Sequence, residues 1–120
     1  MKSEIKEKAD KYIMQTYGRF PLALVRGEGC WVWDEEGKKY LDFISGLGVN
    51  SLGHCHPAVV GAVKEQVEKI LHCSNLYYTK PQAELAEILI KNSCFDRVFF
   101  CNSGAEANEG ALRIIKKYTK

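Results

Sequence analysis

A short motif near the end of the sequence has the residue types of an anion site. Ser103, Gly104, Ala105 and Glu106 follow an apolar run and open a helical pattern. The first backbone N–H groups of a helix have no partner within the helix, and the helix dipole makes that end positive. Two small residues at such an end allow an anion to approach the backbone closely. The motif therefore predicts a site for a phosphate group.

The same residues also fit a plain helix cap. In a capping box, the Ser103 side chain accepts a hydrogen bond from the backbone N–H of Glu106, and the Glu106 side chain reaches back. A capping box explains the serine and the glutamate, but it does not require Gly104 and Ala105. One helix end can serve both purposes, so the anion site and the cap both stay open as interpretations.

Two histidines and a cysteine lie together at residues 54–56. They could form a metal site or a nucleophilic thiol. Structural zinc sites pair their ligands two to four residues apart, and His54 and His56 have no second such pair to join them. Because Pro57 follows directly, we expect these imidazoles to satisfy backbone groups at a helix start, and we expect no metal. A thiol nucleophile needs an aimed histidine, whereas the neighbours of Cys55 in an extended segment point in opposite directions.

Composition and charge exclude several classes of function. The 120 residues are 46% hydrophobic and 27% charged, which is typical of a globular protein. The net charge of +2 is spread over mixed Lys and Glu, so no basic patch predicts nucleic-acid binding. No apolar run predicts a membrane span, and no signal peptide is expected. The five cysteines argue against a disulfide framework, so we expect free thiols, several of them buried, in a reducing cytosol.

The first half of the sequence predicts a helix followed by a small meander. Apolar residues at helical spacing predict a helix over residues 3–16. Residues 22–33 are predicted to be extended, a turn is expected at 34–37, and residues 39–43 alternate polar and apolar types as a strand does. Together they predict a β-hairpin or a small meander, which a glycine-rich loop follows at residues 46–53.

Three helices are predicted in the second half. Pro57 is expected in the first turn of one helix, where proline is favoured. Thr79 and Gln82 have the spacing of a capping box and predict the start of the next. The last helix is predicted from about Ala105, with its acidic residues early and its lysines late, as the helix dipole favours.

Residues 98–101 are apolar without alternation, which is typical of a strand buried on both faces of a parallel sheet. Such a strand needs parallel neighbours, and no other stretch of this sequence predicts one. We therefore expect the remaining strands of that sheet to lie in sequence outside these 120 residues. The expected fold class is α/β.

Five segments, in the same order, resemble the N-terminal region of the class III (fold type I) pyridoxal-phosphate aminotransferases. They are residues 27–34, Gly37 with 40–43, 52–57, 72–78 and 100–109. The resemblance covers nearly all of residues 12–119. It implies an N-terminal helix and β-meander segment of a small domain over residues 1–55. Residues 56–120 would then start the large cofactor-binding domain, with the first strand–helix unit of its sheet.

The resemblance implies transamination with pyridoxal phosphate as cofactor, from an amino acid to 2-oxoglutarate. Residues 74–82 are similar to the acetylornithine branch of the family, which implies N-acetylornithine as donor and a cytoplasmic homodimer of arginine biosynthesis. Ornithine, succinyl-diaminopimelate and 4-aminobutyrate remain alternative donors, because the residues that discriminate them lie mostly outside this sequence. A non-catalytic, truncated module that binds phosphate or dimerises is the alternative from another class.

By the family pattern, Ser103, Gly104 and Ala105 hold the cofactor phosphate. Tyr17 matches a family tyrosine at the substrate mouth. Leu47 stands where ornithine aminotransferases usually carry a tyrosine, which disfavours free ornithine.

In the family, the lysine that forms the Schiff base with the cofactor lies far downstream, and no lysine of this sequence matches it. No catalytic residue is therefore expected in this chain, and the isolated chain is expected to be inactive. Residues 75–79 would lie at the dimer interface.

Overall fold

The computed structural model describes residues 3–119 and divides the chain into two compact units, one ending at Leu71 and the other beginning at His72. Within the described residues the elements are α1 (Glu4–Tyr12), β1 (Leu24–Glu28), β2 (Trp31–Asp34), β3 (Lys39–Leu41), α2 (Pro57–Lys69), α3 (Lys80–Lys91) and α4 (Gly104–Tyr118). This mixture of helix and strand confirms the predicted α/β class. The domain boundary between residues 55 and 56 stays a prediction.

Strands β1, β2 and β3 form a three-stranded antiparallel sheet in that order, which confirms the predicted meander. Val32 pairs with Gly27 on one side and with Tyr40 on the other. Cation–π contacts cross the sheet, since Arg26 lies 4.5 Å from the centre of the Trp33 ring. Such cross-strand pairs stabilise a small sheet that has little core of its own.

Asp34 organises the turn between β2 and β3. Its Oδ1 accepts the backbone N–H groups of Glu36 at 3.0 Å and Lys38 at 2.8 Å, and its Oδ2 accepts the Tyr40 hydroxyl at 2.7 Å. The Tyr40 hydrogen bond, supported by these backbone donors and opposed by burial, lowers the pKa of Asp34. Asp34 and Val32 are the buried residues of the described range 3–119. The turn is therefore built on a charged acceptor with three donors.

The Asp34–Tyr40 hydrogen bond is expected to give the meander a pH window of stability. Because the pKa of Asp34 lies below its ordinary 3.8, its contribution is present above about pH 4 and is lost as pH falls through the folded pKa. The pKa of Tyr40 is raised above 10.0, chiefly by the bond to Asp34. The Tyr40 contribution is therefore complete below about pH 10 and is lost as pH rises through the folded pKa.

Carboxyl NMR of labelled Asp34 measures this effect. We expect Tyr40→Phe to move the Asp34 midpoint up towards its ordinary value, because the main donor is removed. Tyr118→Phe, at an exposed tyrosine at the end of α4, is the matched control and should leave the midpoint in place. An unchanged midpoint in Tyr40→Phe would show that the hydroxyl does not stabilise the charged carboxylate.

Helix α1 ends earlier than predicted, at Tyr12 rather than at residue 16. Ser3 caps its start by accepting the N–H of Lys6 at 3.1 Å. Ile13 is extended, with φ −101° and ψ 131°. The Gln15 side chain donates to the carbonyls of Asp10 and Ile13, at 3.3 and 2.9 Å. A side chain thus satisfies carbonyls that a longer helix would have paired internally.

The capping box predicted at Thr79 is wrong. Thr79 is the N-cap of α3, but its side chain makes no capping hydrogen bond. An N-cap side chain accepts from the second or third N–H of the helix. Pro81 occupies the second position and has no N–H, so the only such donor left is that of Gln82.

Residues 98–101, predicted as a strand, form none in the described part of the chain. No backbone–backbone hydrogen bond between residues 3 and 119 pairs this segment with a neighbour. A strand is completed by its ladder partners, and apolar side chains alone do not supply them. Phe99 stays 67% exposed.

Apolar side chains and thiols remain accessible through residues 3–119. None of the four helices described there has a buried residue. The cysteines are free, as predicted, but the expectation that several are buried is wrong. Cys73 is partly exposed and the others are exposed, because no packed core forms around them. No helix in the described range is long and apolar enough to cross a membrane.

Candidate functional site

The N-terminal end of α4 forms the predicted cap. Ser103 is extended, with φ −155° and ψ 161°, and its Oγ accepts the backbone N–H of Glu106 at 3.2 Å. Oε2 of Glu106 accepts the backbone N–H of Asn102 at 2.7 Å and its side-chain amide at 3.2 Å. The glutamate thus reaches back to the residue before the cap, and its carboxylate is engaged there.

The same helix end keeps donors available for an anion. The backbone N–H groups of Gly104 and Ala105 have no hydrogen-bond partner among residues 3–119. A β-carbon added to Gly104 would meet no atom within 4 Å, so the space beside this backbone is open. Unpaired donors and open space at the positive end of a helix suit a phosphate group. Cap and anion site are therefore compatible in this geometry.

Further along α4, the helix packs against an aromatic ring. The Phe99 side chain lies on Gly110, where an added β-carbon would come within 3.1 Å of a ring carbon. Arg113 Nε donates to Glu109 Oε1 at 2.8 Å, and the arginine is 78% exposed. Arg113 is therefore a surface charge that is paired with Glu109.

Tyr17 and Leu47, the predicted substrate-binding residues, lie in the first unit and are exposed. Tyr17 is 74% exposed and lines a cavity of about 420 Å³ beside α1, together with Arg19 and Glu35. Leu47 is 92% exposed. Both side chains are therefore accessible to a ligand.

The glycine-rich loop contains one turn of left-handed backbone, and Leu47 is part of it. Its four residues are Ser45, Gly46, Leu47 and Gly48, with φ of 50°, 62°, 59° and 87°. A left-handed conformation costs roughly 1–2 kcal/mol for each residue that carries a β-carbon. Ser45 and Leu47 therefore need support from the rest of the loop. Some comes from the N–H of Asn50, which donates to the Ser45 carbonyl at 2.9 Å.

Asp42 and His54 close this loop. Asp42 Oδ2 lies 2.7 Å from His54 Nε2. Asp42 Oδ1 accepts the backbone N–H groups of Ile44 at 2.8 Å and Ser45 at 3.0 Å. The hydrogen bond from His54 is the largest cause that lowers the pKa of Asp42, followed by these two backbone donors. The pair is partly shielded, with side chains 14% exposed for Asp42 and 24% for His54.

Asp42 was not predicted from the sequence as a residue of this loop's hydrogen-bond network. The prediction that the His54 imidazole satisfies a local backbone group is wrong. Its Nε2 is hydrogen-bonded to the Asp42 carboxylate, which is a stronger acceptor than a backbone carbonyl. The sequence did contain a signal, since an aspartate just after a strand and before a glycine-rich loop favours side-chain bonds to the backbone two residues on.

The other members of the 54–56 cluster have different environments. His56 Nδ1 is buried and has no hydrogen-bond partner, so the predicted role is also wrong for that atom. Cys55 is exposed, with φ of 53°. Across residues 3–119, no three His, Cys, Asp or Glu side chains come together in a way that could hold a metal ion.

Nearly the whole chain is similar in sequence to known proteins. Residues 12–120 match the family described as aminotransferase class-III. The chain is 58% identical over 109 residues to acetylornithine aminotransferase of Synechocystis sp., a match that covers 91% of this chain and 25% of that protein.

Solved structures of aminotransferases have a backbone similar to that of this chain. Acetylornithine aminotransferase from Elizabethkingia anophelis has a TM-score of 0.89 at 38% identity, covering 96% of this chain and 30% of that one. The ornithine aminotransferase of Toxoplasma gondii, with PLP partially occupying its active site, has a TM-score of 0.88 at 32% identity, covering 95% and 27%. The chain thus spans only 25% to 30% of the length of these proteins. The sequence match, the shared backbone and the order of the motifs together place this chain in the class-III aminotransferase family.

Proposed function

We propose that this chain is the N-terminal part of a pyridoxal-phosphate aminotransferase that transfers the amino group of N-acetylornithine to 2-oxoglutarate. The observation that carries the proposal is the free helix end at residues 103–105, which lies within the segment shared with the family. The names of the related proteins support N-acetylornithine as the donor.

Residues 103–105 fit the phosphate of this cofactor. The N–H groups of Gly104 and Ala105 would donate to phosphate oxygens, while Ser103 keeps the helix start in place. When bound, the cofactor supplies the electron-withdrawing ring that amino-group transfer needs. This part of the chain binds and orients its phosphate end.

Tyr17 and Leu47 are proposed to line the substrate mouth. The exposed Leu47 side chain offers an apolar contact. The uncharged acetamido group on the α-carbon of N-acetylornithine loses less hydration at such a contact than the α-ammonium group of free ornithine would. This difference supports an acylated donor over ornithine.

A cytoplasmic homodimer completes the proposal, with residues 75–79 at the interface. Within this segment Leu76, Tyr77 and Tyr78 are 84%, 68% and 105% exposed. A contiguous exposed apolar patch is typical of a protein–protein contact. The free cysteines are those of a reducing compartment.

Assays of the full-length enzyme with different amino donors test the proposal. We expect kcat/KM to be highest for N-acetylornithine and at least about tenfold higher than for ornithine. Succinyl-diaminopimelate and 4-aminobutyrate are the other donors to compare. The isolated 120-residue chain should show no turnover with any of them. A higher efficiency with another donor would reassign the substrate, and no transamination with any donor would refute the proposed function.

A further inference from the structure

We propose that Asp42 and His54 are positioning residues that hold the left-handed turn at residues 45–48 and thereby set the place of Leu47 against the substrate. The proposal rests on the proposed function, in which Leu47 lines the substrate mouth. Neither Asp42 nor His54 needs to touch the substrate for this role.

Leu47 depends on its backbone for its position. Its side chain is 92% exposed, so little packing within its own unit fixes it. Its φ of 59° is unfavourable for a residue with a β-carbon. Its N–H donates to the Ile44 carbonyl at 2.9 Å, so the turn continues directly from Ile44. Whatever holds Ile44 and Ser45 therefore holds Leu47.

Asp42 holds these two residues. One carboxylate oxygen accepts both of their N–H groups, at 2.8 and 3.0 Å. The Asp42 backbone is itself tied to the β1–β2 turn, because its N–H donates to the Cys30 carbonyl at 2.8 Å. Charge-assisted bonds from two successive amides stabilise a turn that its own dihedral angles disfavour.

His54 fixes the carboxylate from the other side. Its backbone exchanges two hydrogen bonds with Gly29, with His54 N–H to Gly29 O at 2.8 Å and Gly29 N–H to His54 O at 2.9 Å. Its imidazole lies against Gly27, where an added β-carbon would come within 2.6 Å of Cγ. The ring that bonds Asp42 thus has a fixed place, and the Asp42 carboxylate takes its orientation from it.

Donor selectivity separates positioning from a general structural role. A merely structural pair would lower kcat/KM for every donor by the same factor. A pair that positions Leu47 would change the ratio of kcat/KM for N-acetylornithine to kcat/KM for ornithine, because these donors differ in the group that Leu47 would contact.

The experiment uses the full-length enzyme with Asp42→Ala, His54→Ala and Leu47→Ala. We expect each variant to lower the selectivity ratio about fivefold or more. The double variant His54→Ala/Leu47→Ala should fall no further than Leu47→Ala alone, since the pair acts through Leu47. Asp42→Asn should retain more selectivity than Asp42→Ala, because its amide oxygen can still accept the Ile44 and Ser45 N–H groups. If Asp42→Ala does not fold, Asp42→Asn provides the measurement at this position.

The exposed Asp96 provides the control variant Asp96→Asn, which should keep the wild-type ratio. Amide hydrogen exchange of Ile44 and Ser45 should accelerate in His54→Ala, which measures the pair independently of activity. Ratios within twofold of wild type in both Asp42→Ala and His54→Ala, or additive losses in the double variant, would overturn the inference. A wild-type enzyme that transaminates neither donor would instead refute the proposed function.

Discussion

Gly104→Asp in the full-length enzyme is expected to weaken pyridoxal-phosphate binding by at least about a hundredfold. Two unit charges 4 Å apart near a protein surface repel by about 4 kcal/mol, which exceeds what a hundredfold change requires. The aspartate itself suits the first turn of a helix, so α4 should stay folded. A titration of the apo-enzyme, followed by cofactor absorbance, measures the affinity.

Two substitutions at the same position separate charge from size. Gly104→Asn has nearly the same size without the charge, and it should lose much less affinity than the aspartate. Gly104→Ala adds only a β-carbon, which meets no atom of the protein within 4 Å. Any loss in Gly104→Ala therefore measures how closely the phosphate approaches the backbone. Unchanged affinity in Gly104→Asp would show that the phosphate binds elsewhere.

Gly53→Ala is expected to destabilise the protein by about 2–4 kcal/mol, with loss of the Gly29–His54 hydrogen bonds. Gly53 has a φ of 87°, which an alanine disfavours. An added β-carbon would also lie 3.0 Å from the Gly29 carbonyl oxygen, on backbone that cannot rotate away. Thermal and urea unfolding of the full-length enzyme measure the loss.

Gly29→Ala is the matched control for this contact. Gly29 also has a positive φ, of 56°, but an added β-carbon there meets nothing within 4 Å. We expect only the backbone cost, about 1–2 kcal/mol. Equal losses in Gly29→Ala and Gly53→Ala would mean that the close approach of the two backbone segments contributes nothing.

Local features of this chain were predictable from sequence because they depend on neighbouring residues. Pro57 starts α2 and Gly104 starts α4, as proline preference and the Ser-x-x-Glu spacing predicted. The meander followed from alternation and from the turn at residues 34–37. The motif at residues 103–106 likewise forms its cap within one helical turn.

Several of the predictions that were wrong depended on contacts between residues that are distant in the sequence. Residues 98–101 have the composition of a buried strand, but composition does not provide a ladder partner. Several of the cysteines were expected to be buried on the basis of residue type, whereas burial depends on what packs against each one. The His54 imidazole finds Asp42, which is twelve residues away, and no local spacing rule predicts that pair.

The sequence by itself therefore determined where helices begin, where the chain turns, which residues form the capped start of α4, and to which family the chain is similar. These properties follow from backbone preferences and from donors and acceptors within a few residues of one another. Only the tertiary structure decided that Asp42 meets His54, that Gly27 and Gly53 lie against neighbouring groups, and that Leu47 sits on left-handed backbone. Those outcomes depend on contacts between segments that are distant in the sequence. Packing and hydrogen bonding across the fold, rather than local backbone preference, bring such segments to within 3 Å of each other.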